Sequence, residues 1–121
     1  MENVTLYRPV GDAELELIRA NGWRGFPPRL PAQPIFYSVL NEEYPTQIAR
    51  DWNTRDGGTG YVLRFQVGAE YLKQFPIQTA GARIHQEYWI LADQLEEFNR
   101  HIVGEIEVVH ELPPPTASPL Q

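Results

Sequence analysis

The sequence contains no cysteine, so a disulfide framework, a thiolate metal site and catalysis by a cysteine nucleophile are all excluded. Histidine is also scarce. The three histidines, His85, His101 and His110, do not follow the close spacing of a zinc site, and we therefore predict no metal centre.

Basic residues are few: Lys and Arg together number 10 against 16 Asp and Glu, which gives a formal net charge of −6. Nucleic-acid-binding domains commonly present a basic face, and no run of Lys or Arg occurs here. The composition therefore disfavours DNA or RNA as a partner, whereas an acidic surface suits a basic protein.

Long apolar stretches are missing as well, since no segment approaches the roughly 20 apolar residues of a membrane-spanning helix. The opening residues, MENVTLYRPV, do not combine a basic segment with a following apolar one, as a secretory signal would. We therefore expect a cytoplasmic protein that does not act at a membrane.

The chain does contain enough apolar material for a core, because 42% of its 121 residues are hydrophobic and 12% are aromatic. We predict a single domain over residues 1–112. The remaining residues, 113–121, are rich in proline, and we expect a disordered tail there, with a polyproline-type ligand segment as the alternative.

Residue patterns predict where the strands and helices lie. Five segments have the branched and aromatic composition of strands: 4–10, 34–40, 61–67, 84–90 and 104–112. Helical patterns occupy 13–21, 41–53 and 92–103, with a shorter helical piece over 69–75. Regular strand–helix–strand alternation and a glycine-rich phosphate loop are both lacking. We therefore predict an α+β fold with a mainly antiparallel, twisted sheet of about five strands and two to three flanking helices.

Single residues predict finer features of the chain. Asp12 is expected to cap the first helix, and Pro45 is compatible with the second helix only in its first turn. Residues 22–34 contain four prolines and can form neither a helix nor a central strand. Because this segment includes Trp23 and Phe26, we expect a loop that packs onto the domain.

Polar side chains occur in three strands that are otherwise apolar: Arg8 in the first, Ser38 beside Tyr37 in the second, and Glu87 in the fourth. A polar group in such a strand needs a partner or a wet cleft. Arginine suits planar anions and pyrophosphate, and a serine hydroxyl can bind a ribose. A carboxylate can stabilise a cationic sugar transition state. The structural alternatives are an Arg8 paired with a surface carboxylate, a structural Ser38, and a solvent-exposed Glu87 on an edge strand.

The strand HQEYWI has two faces, because successive side chains of a strand point to opposite sides. His85, Glu87 and Trp89 share one face. If Tyr88 and Ile90 on the other face belong to the core, the face with Glu87 is directed into a possible cleft.

Three short motifs occur in the order found in mono-ADP-ribosyltransferases: LYRPV, then IFYSV followed by YPTQIARDW, then HQEYWI followed by ADQLEEF. The chain resembles the arginine–serine–glutamate branch of that fold. From Leu6 to Leu112 it is also similar to short bacterial proteins often labelled "ADP-ribosylation/crystallin". The resemblance implies an ADP-ribosyltransferase-like fold and a small transferase that uses NAD as its substrate.

Carried over to this sequence, the resemblance implies that Glu87 is the catalytic residue and steadies the oxocarbenium-like ribose as nicotinamide leaves. Arg8 would contact the phosphates or the ribose of NAD, and Ser38 would support the pocket. Tyr37 or Trp89 would pack against the ring.

The resemblance does not determine which acceptor receives the ADP-ribose. Members that modify arginine have Glu or Gln two positions before the catalytic glutamate, whereas His85 stands there in this chain and would belong to the NAD-binding group. The resemblance thus allows a protein acceptor, a small molecule, or hydrolysis of NAD. The alternative is a non-catalytic binding module of the same fold that interacts with a protein partner.

Overall fold

The computed structural model describes residues 2–29, 34–50, 58–79 and 86–113. The predicted tail beyond residue 113 and the predicted site residue His85 lie outside this part of the chain. None of the helices within the described ranges is long and apolar enough to span a membrane. In chain order the elements are β1 (Asn3–Val10), α1 (Asp12–Ala20), β2 (Ile35–Val39), α2 (Glu43–Ile48), β3 (Gly60–Gly68), α3 (Ala69–Leu72), β4 (Ile77–Thr79), β5 (Gln86–Leu91), a 3-10 helix (Ala92–Gln94), α4 (Leu95–Arg100) and β6 (Ile102–Leu112).

The strands form one antiparallel sheet in the order β4-β5-β2-β1-β3-β6. The predicted α+β class and antiparallel sheet are therefore confirmed. The predicted numbers of strands and helices are too low, since the described residues form six strands and four α-helices. The strand β4 has only three residues, too few for an alternating pattern to establish, whereas the four-residue α3 lies within the shorter helical piece predicted over 69–75.

Asp12 does not cap α1 through its side chain, contrary to the sequence-based expectation. Gly11 precedes the helix, and the Asp12 carboxylate accepts hydrogen bonds from the backbone N of Thr59 (3.0 Å) and the hydroxyl of Tyr61 (3.1 Å). A long-range contact has replaced the local one, so Asp12 ties the start of α1 to the start of β3.

The two other helix predictions have different outcomes. Pro45 is the third residue of α2, so its expected place in the first turn is confirmed. The helix predicted over 92–103 instead ends at Arg100, because the β-branched Ile102 and Val103 pair with β3 and begin β6.

One face of the sheet, here called the core face, packs against α1, α3 and α4. Each of the four inner strands contributes a fully buried side chain to it: Leu6, Phe36, Phe65 and Ile90. The rings of Phe26, Phe36, Phe65 and Phe98 lie against one another, with centroid separations between 4.7 and 6.2 Å. Such tilted and edge-on aromatic contacts add to the stabilisation from burial.

The opposite face, here called the α2 face, is covered in part by α2. Directly paired residues of neighbouring strands project to the same side. Tyr7 pairs with Val39, and Val39 pairs with Glu87, so all three project from this face. Val39 and Ala49 are buried here, apart from the main cluster of the core face.

The loop after α1 is fastened to α4 by one amide side chain. The backbone N of Phe26 donates to Asn99 Oδ1, and Asn99 Nδ2 donates to the Phe26 carbonyl, both at 2.9 Å. Gly25 permits this approach, since a Cβ there would lie 2.9 Å from Asn99 Cγ. Phe26 is buried, so the predicted packing of this loop is confirmed at that residue.

We expect Asn99→Ala to lower the free energy of unfolding by about 2 kcal/mol, because two half-buried backbone groups lose their partner. Asn21→Ala, at an exposed position after α1, is the matched control and should change stability far less. Urea unfolding of both variants measures the difference. Equal midpoints would contradict the role assigned to Asn99.

Candidate functional site

A cavity of about 250 Å³ lies where β1 and β2 separate, beneath α2. The two strands pair in register only at Tyr7 and Val39. Pro9 follows soon after and has no backbone N–H to extend the ladder. The cavity is lined by residues of β1, β2, α2 and β5: Arg8, Pro9, Tyr37, Val39, Tyr44, Ile48 and Glu87.

Glu87 is the carboxyl group of this cavity and is only 5% exposed. It lies on the inner strand β5, between Val39 of β2 and Gln78 of β4 in the pairing register. The alternative of a solvent-exposed glutamate on an edge strand is therefore wrong. Tyr88 and Ile90 belong to the core face, which confirms the predicted division of this strand into two faces.

The two oxygens of Glu87 have different surroundings. Trp89 Nε1 donates a hydrogen bond of 2.8 Å to Oε1 and thereby fixes the orientation of the carboxyl group. Oε2 accepts no hydrogen bond from a described residue, and it is not among the fully enclosed side-chain atoms that lack a partner. Oε2 is thus not fully enclosed. Glu87 also takes part in none of the ion pairs between described residues.

Tyr44 and Ile48 bring α2 into the wall of the cavity, one helical turn apart on the same side of the helix. Asn41 Oδ1 accepts a hydrogen bond of 2.8 Å from the backbone N of Tyr44 and so fixes the start of the helix. Burial raises the pKa of Tyr44, and the charge of Glu87 raises it further. The phenol therefore keeps its proton beside the carboxylate and can act as a hydrogen-bond donor.

Two aromatic side chains stand at the rim of the cavity. Tyr37 and Trp89 are cross-strand partners whose rings meet edge-on at 6.0 Å, and each is about 40% exposed. Exposed rings beside a buried carboxyl group provide a surface on which a planar heterocycle can stack.

Arg8 lines the same cavity, but its guanidinium group is already engaged. Nε and Nη2 donate to the two carboxylate oxygens of Glu14 at 2.8 and 3.0 Å, and Nη1 donates to the Tyr37 carbonyl at 3.1 Å. Its Cζ atom lies 4.3 Å from the centroid of the Phe36 ring. The carboxylate pairing considered from the sequence is thus present, with a partner that is itself largely buried.

Ser38 does not join the other predicted site residues at the cavity. It pairs with Tyr88 and projects from the core face, as Phe36 does, and it is 0% exposed. Its hydroxyl has no hydrogen-bond partner among the described residues. The structure therefore brings together Arg8, Tyr37 and Glu87, with Trp89 bonded to Glu87, whereas His85 lies outside the described residues.

Tyr44 and Ile48 are site residues that none of the sequence motifs indicated. Their four-residue separation did predict one face of a helix. It could not show which face of the sheet that helix covers, because this depends on strand register. The sequence also could not predict that Glu14 is the partner of Arg8, because the pair spans a strand, a turn and the start of a helix.

Larger cavities lie elsewhere in the described structure, including one of about 430 Å³ beside Glu42 and His110. There the side chains of Glu42 and His110 are hydrogen-bonded to each other. Among the described residues, no group of three or more His, Cys, Asp and Glu side chains is arranged to hold a metal ion. The cavity at Glu87 is smaller but contains a buried carboxyl group without a counter-ion in the described part of the chain.

We expect Arg8→Met to cost about 3 kcal/mol of unfolding free energy, because it leaves the largely buried carboxylate of Glu14 without its partner. Arg64→Met is the matched control. Arg64 forms an ion pair of the same 2.8 Å length with Glu107, but both side chains are well exposed and the loss should be much smaller. Comparable losses in denaturant unfolding of the two variants would contradict this ranking.

We expect Glu87→Gln to lower the pKa of Tyr44, because removing the negative charge makes the phenolate less unfavourable. The pKa should stay above the ordinary tyrosine value, since burial is the larger cause of the shift. Tyrosine labelled at Cζ with carbon-13 reports each titration by NMR. Tyr71, whose pKa is raised by burial and by Glu97, is the internal control and should not change.

A scan of the chain against protein-family models, a search of curated proteins and a search of solved structures found no match. The likeness to mono-ADP-ribosyltransferases therefore depends on the three sequence motifs alone. Both the relationship of the folds and the use of NAD stay predictions.

Proposed function

We propose that the cavity around Glu87 binds the nicotinamide ribose of NAD and that the protein transfers ADP-ribose to an acceptor or to water. The observation that supports this most directly is a carboxyl group that is 5% exposed, oriented by Trp89, and unpaired with any cation among the described residues. Burying such a group is costly, so its retention favours a role that requires negative charge.

The chemistry that this group can assist is the loss of a cationic leaving group from ribose. When the bond between the nicotinamide nitrogen and C1′ breaks, its electron pair moves onto the ring nitrogen and neutral nicotinamide departs. The positive charge remains on the ribose, where the Glu87 carboxylate stabilises it. The acceptor or a water molecule then bonds to C1′ and releases a proton.

The dimensions of the cavity limit how much of NAD it can enclose. Ligand clefts commonly measure about 300–1,000 Å³, and the volume of about 250 Å³ falls below that range. We therefore assign the cavity to the nicotinamide ribose alone. The exposed rings of Tyr37 and Trp89 would lie against the nicotinamide ring or against the group that follows it along the surface.

A second candidate function is a binding module that does not turn over NAD. The engagement of Arg8 favours it, because three of the five N–H groups of that side chain already have partners within the protein. Phosphate binding by Arg8 would have to use the remaining two. In this alternative the same cavity would recognise a ligand or a side chain of a protein partner.

Glu87→Gln should decrease the release of nicotinamide from NAD by roughly a hundredfold or more, because the amide cannot stabilise the ribosyl cation. The side chain keeps its size, so the fold should be retained. Release is measured by chromatography at millimolar NAD, with Glu105→Gln, an exposed glutamate of β6, as the matched control. Equal rates in Glu87→Gln and the wild type would refute the assignment of Glu87.

Thermal melting of the same proteins distinguishes the two candidate functions. A ligand that binds only the folded state stabilises it by about 2.7 kcal/mol at a hundredfold excess over its dissociation constant. Stabilisation by NAD together with nicotinamide release supports the enzyme. Stabilisation by NAD without release supports the binding module, and the absence of both outcomes rules out NAD as the ligand.

A further inference from the structure

Four large apolar side chains lie together on the α2 face of the sheet, beside the Glu87 cavity. Ile35 pairs with Leu91 and Tyr37 pairs with Trp89, so the four side chains project to the same side of two neighbouring strands. We call this group the rim patch. Three of its members are between 40 and 49% exposed, and Ile35 is half-buried. Contiguous exposed apolar side chains of this kind mark an interaction surface.

The chain leaves the sheet at the end where the rim patch lies. Leu112, the last residue of β6, pairs with Gly60, the first residue of β3. Because β1 is antiparallel to both β3 and β2, the first residues of β3 and β2 lie at the same end of the sheet. Ile35 begins β2 there, and its partner Leu91 ends β5.

The residues after β6 are numerous enough to reach the rim patch. Three strand spacings separate β6 from β2 and four separate it from β5, which gives about 14 and 19 Å. A polyproline-type chain advances about 3.1 Å per residue, so Pro119 lies up to about 22 Å from Leu112. A Cβ at Gly60 would collide with the carbonyl group of Ala49, so the path passes around the strand ends. The surplus length allows this detour.

The composition of these residues, PPPTASPLQ, suits the surface. Proline has no backbone N–H group and does not extend a sheet, whereas proline-rich segments bind in grooves lined by aromatic rings. Tyr37 and Trp89 provide such a pair of rings, 6.0 Å apart and edge-on. The segment also lacks charged side chains. A second copy of the chain suits the patch less well, because two molecules of net charge −6 repel each other.

We propose that residues 116–120 dock on the rim patch of their own chain. Pro119 lies against the two aromatic rings, and Leu120 covers the exposed side chain of Leu91. The consecutive prolines 113–115 form the stiff span that leads from β6 towards the patch. The docking rests on the sheet and on the composition of this segment, and it does not depend on the proposed function.

A docked segment also affects the cavity. Tyr37 lines the cavity, and Trp89 donates a hydrogen bond to Glu87. Residues 116–120 therefore compete with any molecule that stacks on these rings. Such a ligand binds more weakly in proportion to the fraction of chains in which the segment is docked. The segment thus acts as an internal competitor at the rim of the cavity.

The test places a spin label on this segment. Because the chain has no cysteine, Ser118→Cys provides a single attachment point for a nitroxide. In protein labelled with nitrogen-15, the nitroxide broadens the NMR signals of nearby N–H groups, including the indole of Trp89. Leu91→Ser and Val103→Ser are then introduced into the labelled protein. They remove side chains of nearly equal exposure, 49 and 48%, but Val103 lies near the start of β6, at the other end of the sheet.

The labelled protein should lose most of the signal intensity at Tyr37, Trp89 and Leu91, and reduction of the nitroxide should restore it. Leu91→Ser should recover much of this intensity, because it removes part of the apolar surface that holds the segment. Val103→Ser should leave the broadening unchanged. The remaining amide signals of each variant, which report its fold, distinguish lost docking from lost structure.

The opposite results overturn the proposal. These are full signal intensity at the rim patch in the labelled protein, or equal effects of Leu91→Ser and Val103→Ser. A mixture of isotope-labelled wild type and spin-labelled protein without the isotope reports contacts between molecules. Broadening of the rim patch in that mixture assigns it to the segment of a second copy and also overturns docking within one chain. The samples contain no nucleotide, so this test and the nicotinamide-release assay fail independently.

Discussion

The side chain of Arg8 connects three elements at the point where two of them, β1 and β2, separate. It starts on β1, binds both carboxylate oxygens of Glu14 on α1, and donates to the carbonyl of Tyr37 on β2. Where β1 and β2 separate, this side chain supplies a hydrogen bond that backbone pairing would otherwise provide. A buried ion pair of this kind contributes little net stability compared with apolar residues, but the loss of one partner is costly. The gap between the strands, and the cavity within it, therefore depend on Arg8 remaining paired.

The surroundings of Glu87 follow from that gap. β2 and β5 remain fully paired, so Glu87 is held on an inner strand, and α2 closes the cavity from above with Tyr44 and Ile48. The sheet forms the rigid part of the site. The helix α2, a segment of only six residues, forms the rest. The start of this segment is fixed by Asn41, which accepts a hydrogen bond from the backbone, and by the hydrogen bond between Glu42 and His110. The wall opposite Glu87 is thus anchored to the far edge strand, β6.

Sequence patterns predict the strands well but not the contacts that side chains make between elements. Alternation in HQEYWI correctly places Tyr88 and Ile90 in the core and Glu87 on the other face. Alternation in IFYSV likewise places Ser38 on the same face as Phe36, away from Glu87. The order of the three motifs had instead indicated Ser38 as a site residue. The bond of Asp12 to Thr59 and the ion pair of Arg8 with Glu14 need three-dimensional neighbours that no short window contains. Local rules therefore predict faces, whereas partners depend on register.

The hydrogen bond from Trp89 to Glu87 has a consequence for optical spectroscopy. The fluorescence emission of an indole depends on the hydrogen bond that its N–H group makes. In Trp89 this bond goes to the carboxyl group of Glu87, and the ring is also partly open to solvent. Any molecule that enters the cavity and competes for Oε1 alters the emission of this residue. The protein thus has a natural fluorescent reporter one hydrogen bond away from the carboxyl group, and replacing the two other tryptophans, Trp23 and Trp52, by phenylalanine isolates its signal without an added label.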